Sequence, residues 1–159
     1  MSGRFRVLFL CTGNSARSQM AEVLLNHAGA GRFEADSAGT EPAARVNPGA
    51  IEALGATGIE WRGHPPRSVG GLDGRPWDLV VTVCDDAKES CPIFPAGQII
   101  AHWGMPDPAG VQGDAAKRAA FRGTLDVLRR RIDALVTLPV EGLPRKTLEA
   151  RVRDIGRLR

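Results

Sequence analysis

Seven residues, Cys11 to Arg17 (CTGNSAR), bring a nucleophilic thiol, a glycine-containing turn and a guanidinium into one short stretch. The cysteine ends the apolar run Val7 to Leu10; Thr12, Gly13, Asn14, Ser15 and Ala16 follow, and a helical pattern begins at once. That order aims several backbone N–H groups and the positive end of a helix at one spot. The result is a cradle for an oxyanion. A thiol in its floor ionises near neutral pH, because helix N-termini and neighbouring cations lower cysteine pKa values from about 8.5. Arg17 adds a planar two-pronged donor for the oxyanion's equatorial oxygens. Ser18 offers a hydroxyl to the thiolate, and Asn14 is a residue type that accepts the positive φ of a tight turn. The same letters out of context describe a buried cysteine and a solvated arginine, and only the sequence of strand, turn and helix favours the cradle.

Two further cysteines stand in VVTVCDDAKESCP. Cys84 terminates the apolar run Leu79 to Val83 as Cys11 terminates its own. If the two strands are neighbours about 4.8 Å apart, Cys84 comes within the Cα range of about 4.4–6.8 Å that a disulfide needs. Cys91 lies seven residues on, about 10.5 Å along a helix, so a Cys84–Cys91 bond would require Asp85 to Ser90 to unwind. The bland alternative is a pair of small core residues. A zinc site is disfavoured by the spacing, which exceeds the two to four residues usual between paired ligands. The motif HWGMPDPAG puts Asp107 before Pro108 in a loop after the last strand, where it serves equally as a turn residue or as a proton donor to a leaving group. Trp103 is expected to pack that loop; His27, His64 and His102 read as structural or surface residues.

These groups need a scaffold, and the chain supplies an alternating one. Strand patterns fall at Phe5 to Leu10, Phe33 to Ser37, Asp78 to Val83 and Gln98 to His102; helical patterns fall at Ser15 to Ala30, Pro48 to Ala56 and Asp114 to Val136. Such alternation predicts an α/β fold: a small doubly wound sheet of four parallel strands with helices on both faces. The division expected is a catalytic domain over 1–138 and a helical extension over 139–159, its helix at Leu143 to Gly156. At 159 residues the chain forms one core without metal or disulfide staples. No apolar run approaches a membrane span. Three cysteines and no secretory signal core suggest a reducing, cytoplasmic setting with catalytic thiols. Net charge is +3 but uneven, with 12 Lys/Arg against 5 Asp/Glu from Lys117 onward. There the charges alternate with Leu148, Val152 and Ile155 and lack aromatic partners, which favours a solvated helix face over a nucleic-acid site.

CTGNSARSQMAE, DSAGTEP, NPGAIEAL, DLVVTVCDDAKESCPIFP and HWGMPDPAG together resemble the thioredoxin-coupled arsenate reductases built on the low-molecular-weight protein tyrosine phosphatase fold, over roughly residues 5 to 136. The resemblance implies that Cys11 is the nucleophile, that residues Thr12 to Arg17 bind the oxyanion, that Ser18 stabilises the thiolate, that Asp107 is the general acid and that Cys84 and Cys91 are redox cysteines. It further implies arsenate as substrate with phosphate or sulfate competing, a thioredoxin-like reductant, no cofactor, and neither nucleic acid nor membrane as partner. Some members hold potassium through equivalents of Asn14, Glu22 and Ser37 and an aspartate after a His-Thr-Ser segment. Here that segment reads His64-Pro65-Pro66-Arg67, and the arginine disfavours a metal, so none is expected. Two rivals remain: a plain phosphatase working through a phosphocysteine, opposed by Cys84 and Cys91 and by the absence of tyrosine, and a non-catalytic anion-binding module, opposed by an intact nucleophile and acid.

Overall fold

The computed structural model describes residues 3–72, 76–83 and 98–159. Four parallel strands, β1 (Phe5–Cys11), β2 (Phe33–Gly39), β3 (Leu79–Thr82) and β4 (Ile99–His102), form one sheet in the order β2-β1-β3-β4. Val7 stands opposite both Ala35 and Leu79, and Leu79 opposite Ile99. The chain steps from β1 outward to β2, then returns past β1 to β3. This reversal is the small doubly wound arrangement expected, and it opens a crevice outside the carboxyl ends of β1 and β3, where such sheets bind ligands. β1 is apolar and buried from Val7 to Cys11 because both its faces are covered there.

Four α-helices lie among the described residues: α1 (Arg17–Ala28), α2 (Pro48–Ala56), α3 (Asp114–Val136) and α4 (Arg145–Ile155). Asn47 starts α2 by accepting a hydrogen bond from the Gly49 amide (2.8 Å), with Pro48 in the first turn. Phe121, Leu125, Leu128, Ile132 and Leu135 recur every three or four residues and give α3 one buried stripe. Element ends fall within two residues of the sequence expectation, since continuous apolar runs and a capping asparagine are local signals.

One face of the sheet, with Val7, Phe9, Leu79, Val81 and Ile99, forms the main core together with residues of all four helices. Leu8, Leu10, Ala38 and Val80 on the other face pack with Val69, Leu72 and Trp77. The segment after Pro139 contributes Leu148, Val152 and Ile155 to the main core. Trp103 is fully buried there, its indole donating to the Val152 carbonyl (2.9 Å) and its ring tilted against Phe9, so it ties α4 to the sheet. Arg131, buried in α3, donates to the carbonyls of Trp103 (2.7 Å) and Leu158 (3.1 Å). No helix among the described residues is long and apolar enough to cross a membrane.

Candidate active site

β1 delivers Cys11 to the crevice, 2 % exposed. The loop after it is shaped mainly by a second segment that bonds its carbonyls from outside. The amides of Thr40, Glu41, Ala43 and Asn47 donate to the carbonyls of Cys11 (3.3 Å), Thr12 (2.9 Å), Gly13 (2.9 Å) and Ser15 (2.8 Å). Gln19 Nε2 takes the Asn14 carbonyl at 3.2 Å. With its carbonyls turned outward, the loop presents its amide side inward, and the Asn14 amide donates to Cys11 Sγ at 3.2 Å. Asn14 adopts φ of 50°, as the tight turn requires. Gly39, at the end of β2, lies against this loop: a Cβ there would stand 2.5 Å from the Thr12 carbonyl oxygen and 3.0 Å from the Asn14 nitrogen. Ala16, buried, precedes α1, whose first-turn amides have no acceptor within the helix.

Ser18 Oγ lies 2.8 Å from Cys11 Sγ, and Asn14 Nδ2 donates to both Ser18 Oγ (2.8 Å) and Ser37 Oγ (2.9 Å). Arg17 donates through Nη1 to the Met105 carbonyl at 2.9 Å, which anchors the guanidinium while leaving its Nε–Nη2 edge for a planar acceptor. Nε is buried without a hydrogen-bond partner. Nη2 stands 3.7 Å from Asp107 Oδ2, so the structure brings Asp107 to the same mouth as Cys11 and Arg17. The Asp107 side chain is half exposed, and its other oxygen caps the turn Pro108–Gly110 by accepting from the Ala109 amide (2.9 Å).

Below the loop lies a network among Asn14, Glu22, Ser37 and the His64–Arg67 segment, residues that only the resemblance had grouped. Ser37 donates to Glu22 Oε1 (2.7 Å), and His64 Nε2 lies 2.8 Å from the same oxygen. The Arg67 amide donates to Asn14 Oδ1 (3.0 Å), and Arg67 Nη2 pairs with Asp36 Oδ1 (2.5 Å). The hydrogen bond to Glu22, above all, raises the His64 pKa from its ordinary 6.5; burial opposes this, the Pro65 carbonyl adds to it, and Arg67 counters in part. Among the described residues, Glu22, Asp36 and His64 form the group whose ligand atoms crowd within 4.8 Å. It does not fit a metal: His64 already sits on Glu22, and the Arg67 guanidinium on Asp36. His64, read from the sequence as a structural or surface residue, thus supports the Cys11–Arg17 loop, joined to it through Ser37 and the adjoining β2 segment.

Cys11, Thr12, Gly13, Asn14, Ser15, Ala16, Arg17 and Ser18 lie together as expected, with Asp107 at the rim. Cys84 and Cys91 lie outside the described residues. The neighbouring pair β1 and β3 is present, with the Val83 amide donating to the Leu10 carbonyl at 2.9 Å.

A parallel sheet whose first strand feeds a cysteine into an amide-lined loop, with an arginine at the start of the next helix, defines a class. Residues 6–151 match the low molecular weight phosphotyrosine protein phosphatase family, and the chain belongs to it. An arsenate reductase of Halalkalibacterium halodurans is 39% identical over 127 residues, covering 79% of this chain and 91% of its own. The crystal structure of an arsenate reductase from Archaeoglobus fulgidus superposes with a TM-score of 0.68 at 35% identity, over 83% of this chain and 99% of that one. A thioredoxin-dependent arsenate reductase of Corynebacterium glutamicum aligns at 29% identity with a TM-score of 0.61, over 83% of this chain and 63% of its own.

Proposed function

We propose that the protein reduces arsenate to arsenite with Cys11 as nucleophile. The thiolate attacks arsenic, forming an As–S bond, while an arsenate oxygen departs with a proton from Asp107; the loop amides and the Nε–Nη2 edge of Arg17 carry the developing negative charge. The Cys84 thiolate then attacks the Cys11 sulfur. The As–S electron pair stays on arsenic, which leaves as arsenite, and a Cys11–Cys84 disulfide remains. Cys91 attacks Cys84, returns Cys11 as thiolate and carries the oxidation as Cys84–Cys91, which a thioredoxin-like dithiol reduces. Phosphate and sulfate share the oxyanion's shape and compete for the cradle. A relay of this kind works in a reducing compartment such as the cytoplasm.

One observation favours reduction over hydrolysis of a phosphocysteine. The Val83 amide bonds the Leu10 carbonyl, so the residue before Cys84 is joined to the residue before Cys11. The names of the Halalkalibacterium and Corynebacterium relatives support the same substrate, and the latter supports the reductant. The test is arsenate-dependent NADPH consumption with thioredoxin and its reductase, run beside hydrolysis of a small aryl phosphate. Coupled turnover is expected to dominate; aryl phosphate hydrolysis without arsenate turnover would establish the phosphatase instead. In single turnover, Cys91→Ser is expected to release about one arsenite and stall with Cys11 bonded to Cys84, and Cys84→Ser to fail before release.

A further inference from the structure

The loop that carries Asp107 leaves the sheet at Trp103, whose amide donates to the Thr82 carbonyl of β3 at 2.7 Å. Beyond that residue the chain runs beside a groove of about 630 Å³, lined by Gly104 to Pro108 on one side and by Ala120, Gly123, Thr124 and Val127 of α3 on the other. Side chains this short leave the loop unbacked along the groove, so its course is set by its anchors. One anchor is Arg17, on the Met105 carbonyl. The other, two residues nearer the sheet, is Arg131, whose Nη1 donates to the Trp103 carbonyl at 2.7 Å.

Arg131 is fully buried, and its surroundings do little for a charge. Nε donates to the Leu158 carbonyl at 3.1 Å, Nη2 has no hydrogen-bond partner, and the guanidinium forms no ion pair among the described residues. Burial above all, and the nearby Arg159, push its pKa down. A charge held this way costs stability, and an apolar side chain of similar volume would pack better. What the guanidinium supplies instead is direction: its planar fork joins one carbonyl at the root of the Asp107 loop to another in the C-terminal segment. That segment meets the same root at two further points. The Trp103 indole donates to the Val152 carbonyl at 2.9 Å, and Gly156 passes so close that a Cβ there would stand 2.8 Å from the His102 carbonyl oxygen and 2.9 Å from Trp103 Cδ1.

We propose that Arg131 is a positioning residue for Asp107: with Val152 to Leu158 it fixes where the acid's loop leaves the sheet, so that the carboxyl stands at the mouth beside Arg17. Residues 139–159 thereby belong to the support of the site. The proposal rests on Asp107 being the general acid of the proposed function.

The test is a double-mutant cycle. Single-turnover arsenite release at saturating arsenate is measured for wild type, Arg131→Met, Asp107→Asn and the double variant, beside hydrogen exchange over residues 104–110 and alkylation of Cys11 by iodoacetamide. Arg131→Met keeps the volume and loses both hydrogen bonds. It is expected to slow release about tenfold, to speed exchange over 104–110 and to leave Cys11 alkylation unchanged. In the Asp107→Asn background the same substitution is expected to change release by less than about twofold, since an acid that is absent cannot be misplaced. Equal losses in both backgrounds would mark a merely structural effect, and unchanged release or unchanged exchange would show that the loop stands without Arg131; each overturns the proposal. Should Arg131→Met not fold, Gly156→Ala takes its place in the cycle with the same expected pattern. The backbone there has φ of -61°, which alanine adopts, so the change falls chiefly on His102 and Trp103. Release from Asp107→Asn at the wild-type rate would overturn the acid and the proposal with it. A wild type that releases no arsenite would instead overturn the proposed reduction, and exchange alone then decides Arg131: faster over 104–110 in the variant upholds its role, and unchanged overturns it.

Discussion

Arg17 has its Nη1 held by the Met105 carbonyl, Nη2 beside Asp107 and Nε without a hydrogen-bond partner, and the proposed function uses its Nε–Nη2 edge for the oxyanion. A lysine can make either contact but not both. Arg17→Lys is therefore expected to lower arsenate turnover by about a hundredfold or more with little change in folding, checked by steady-state kinetics beside thermal melting. His64 carries a second prediction. Its folded-state pKa lies above its ordinary 6.5, so its stabilising charge is fully present below that value and is lost as pH rises through the folded value. The urea midpoint should fall over that interval, and His64→Gln should flatten the fall. Residues 11 to 18 were legible because loop, thiol, arginine and serine are contiguous and their chemistry is local. Gln19 was not, and Ser37, His64 and Arg67 came into view only through the resemblance, because the contacts that join them cross between α1, β2 and the segment near Arg67.

At the scale of elements, the cradle depends on how closely β2 ends beside it. Gly39 pairs with Cys11 in the strand register, and its missing side chain lets the Thr12 carbonyl and the Asn14 amide pass at contact distance. Gly39→Ala must push that backbone away, so it is expected to abolish selective Cys11 alkylation and phosphate binding, read by mass mapping and calorimetry, while circular dichroism still reports the sheet. The central strands β1 and β3 were legible from the apolar runs Val7 to Leu10 and Leu79 to Val83, as a sheet covered on both faces requires, whereas β2 alternates apolar with polar residues. Sequence reading left the pairing of β1 with β3 as a condition, and the strand register meets it. The covering of Leu8, Leu10 and Val80 by Val69, Leu72 and Trp77 was not legible: it uses scattered residues of a loop with no period.

Among the described residues the larger of the two cores, on one face of the sheet, takes in the last helix. Ile155 is 6 % exposed in that core, and Ile155→Ala is expected to cost about 2–4 kcal/mol, seen as a shifted but still single unfolding transition. Loss of α4 as an independent step would show instead that residues 139–159 form a separable extension, the division first read from the sequence. The outward bonding of the nucleophile loop has a consequence in time. Four of its carbonyls are held by amides of Thr40, Glu41, Ala43 and Asn47, which lie beyond β2. During synthesis, a chain that has not yet emerged as far as Asn47 holds residue 11 in a slack loop, as an ordinary thiol on a ribosome-bound strand. The proposed nucleophile is therefore expected to acquire its amide-lined surroundings only when β2 has zipped onto β1 and the following segment has closed over the turn. If Cys11 is the nucleophile proposed, premature encounters with metals, oxidants or other nascent thiols meet an ordinary cysteine, and an activated one requires the finished fold.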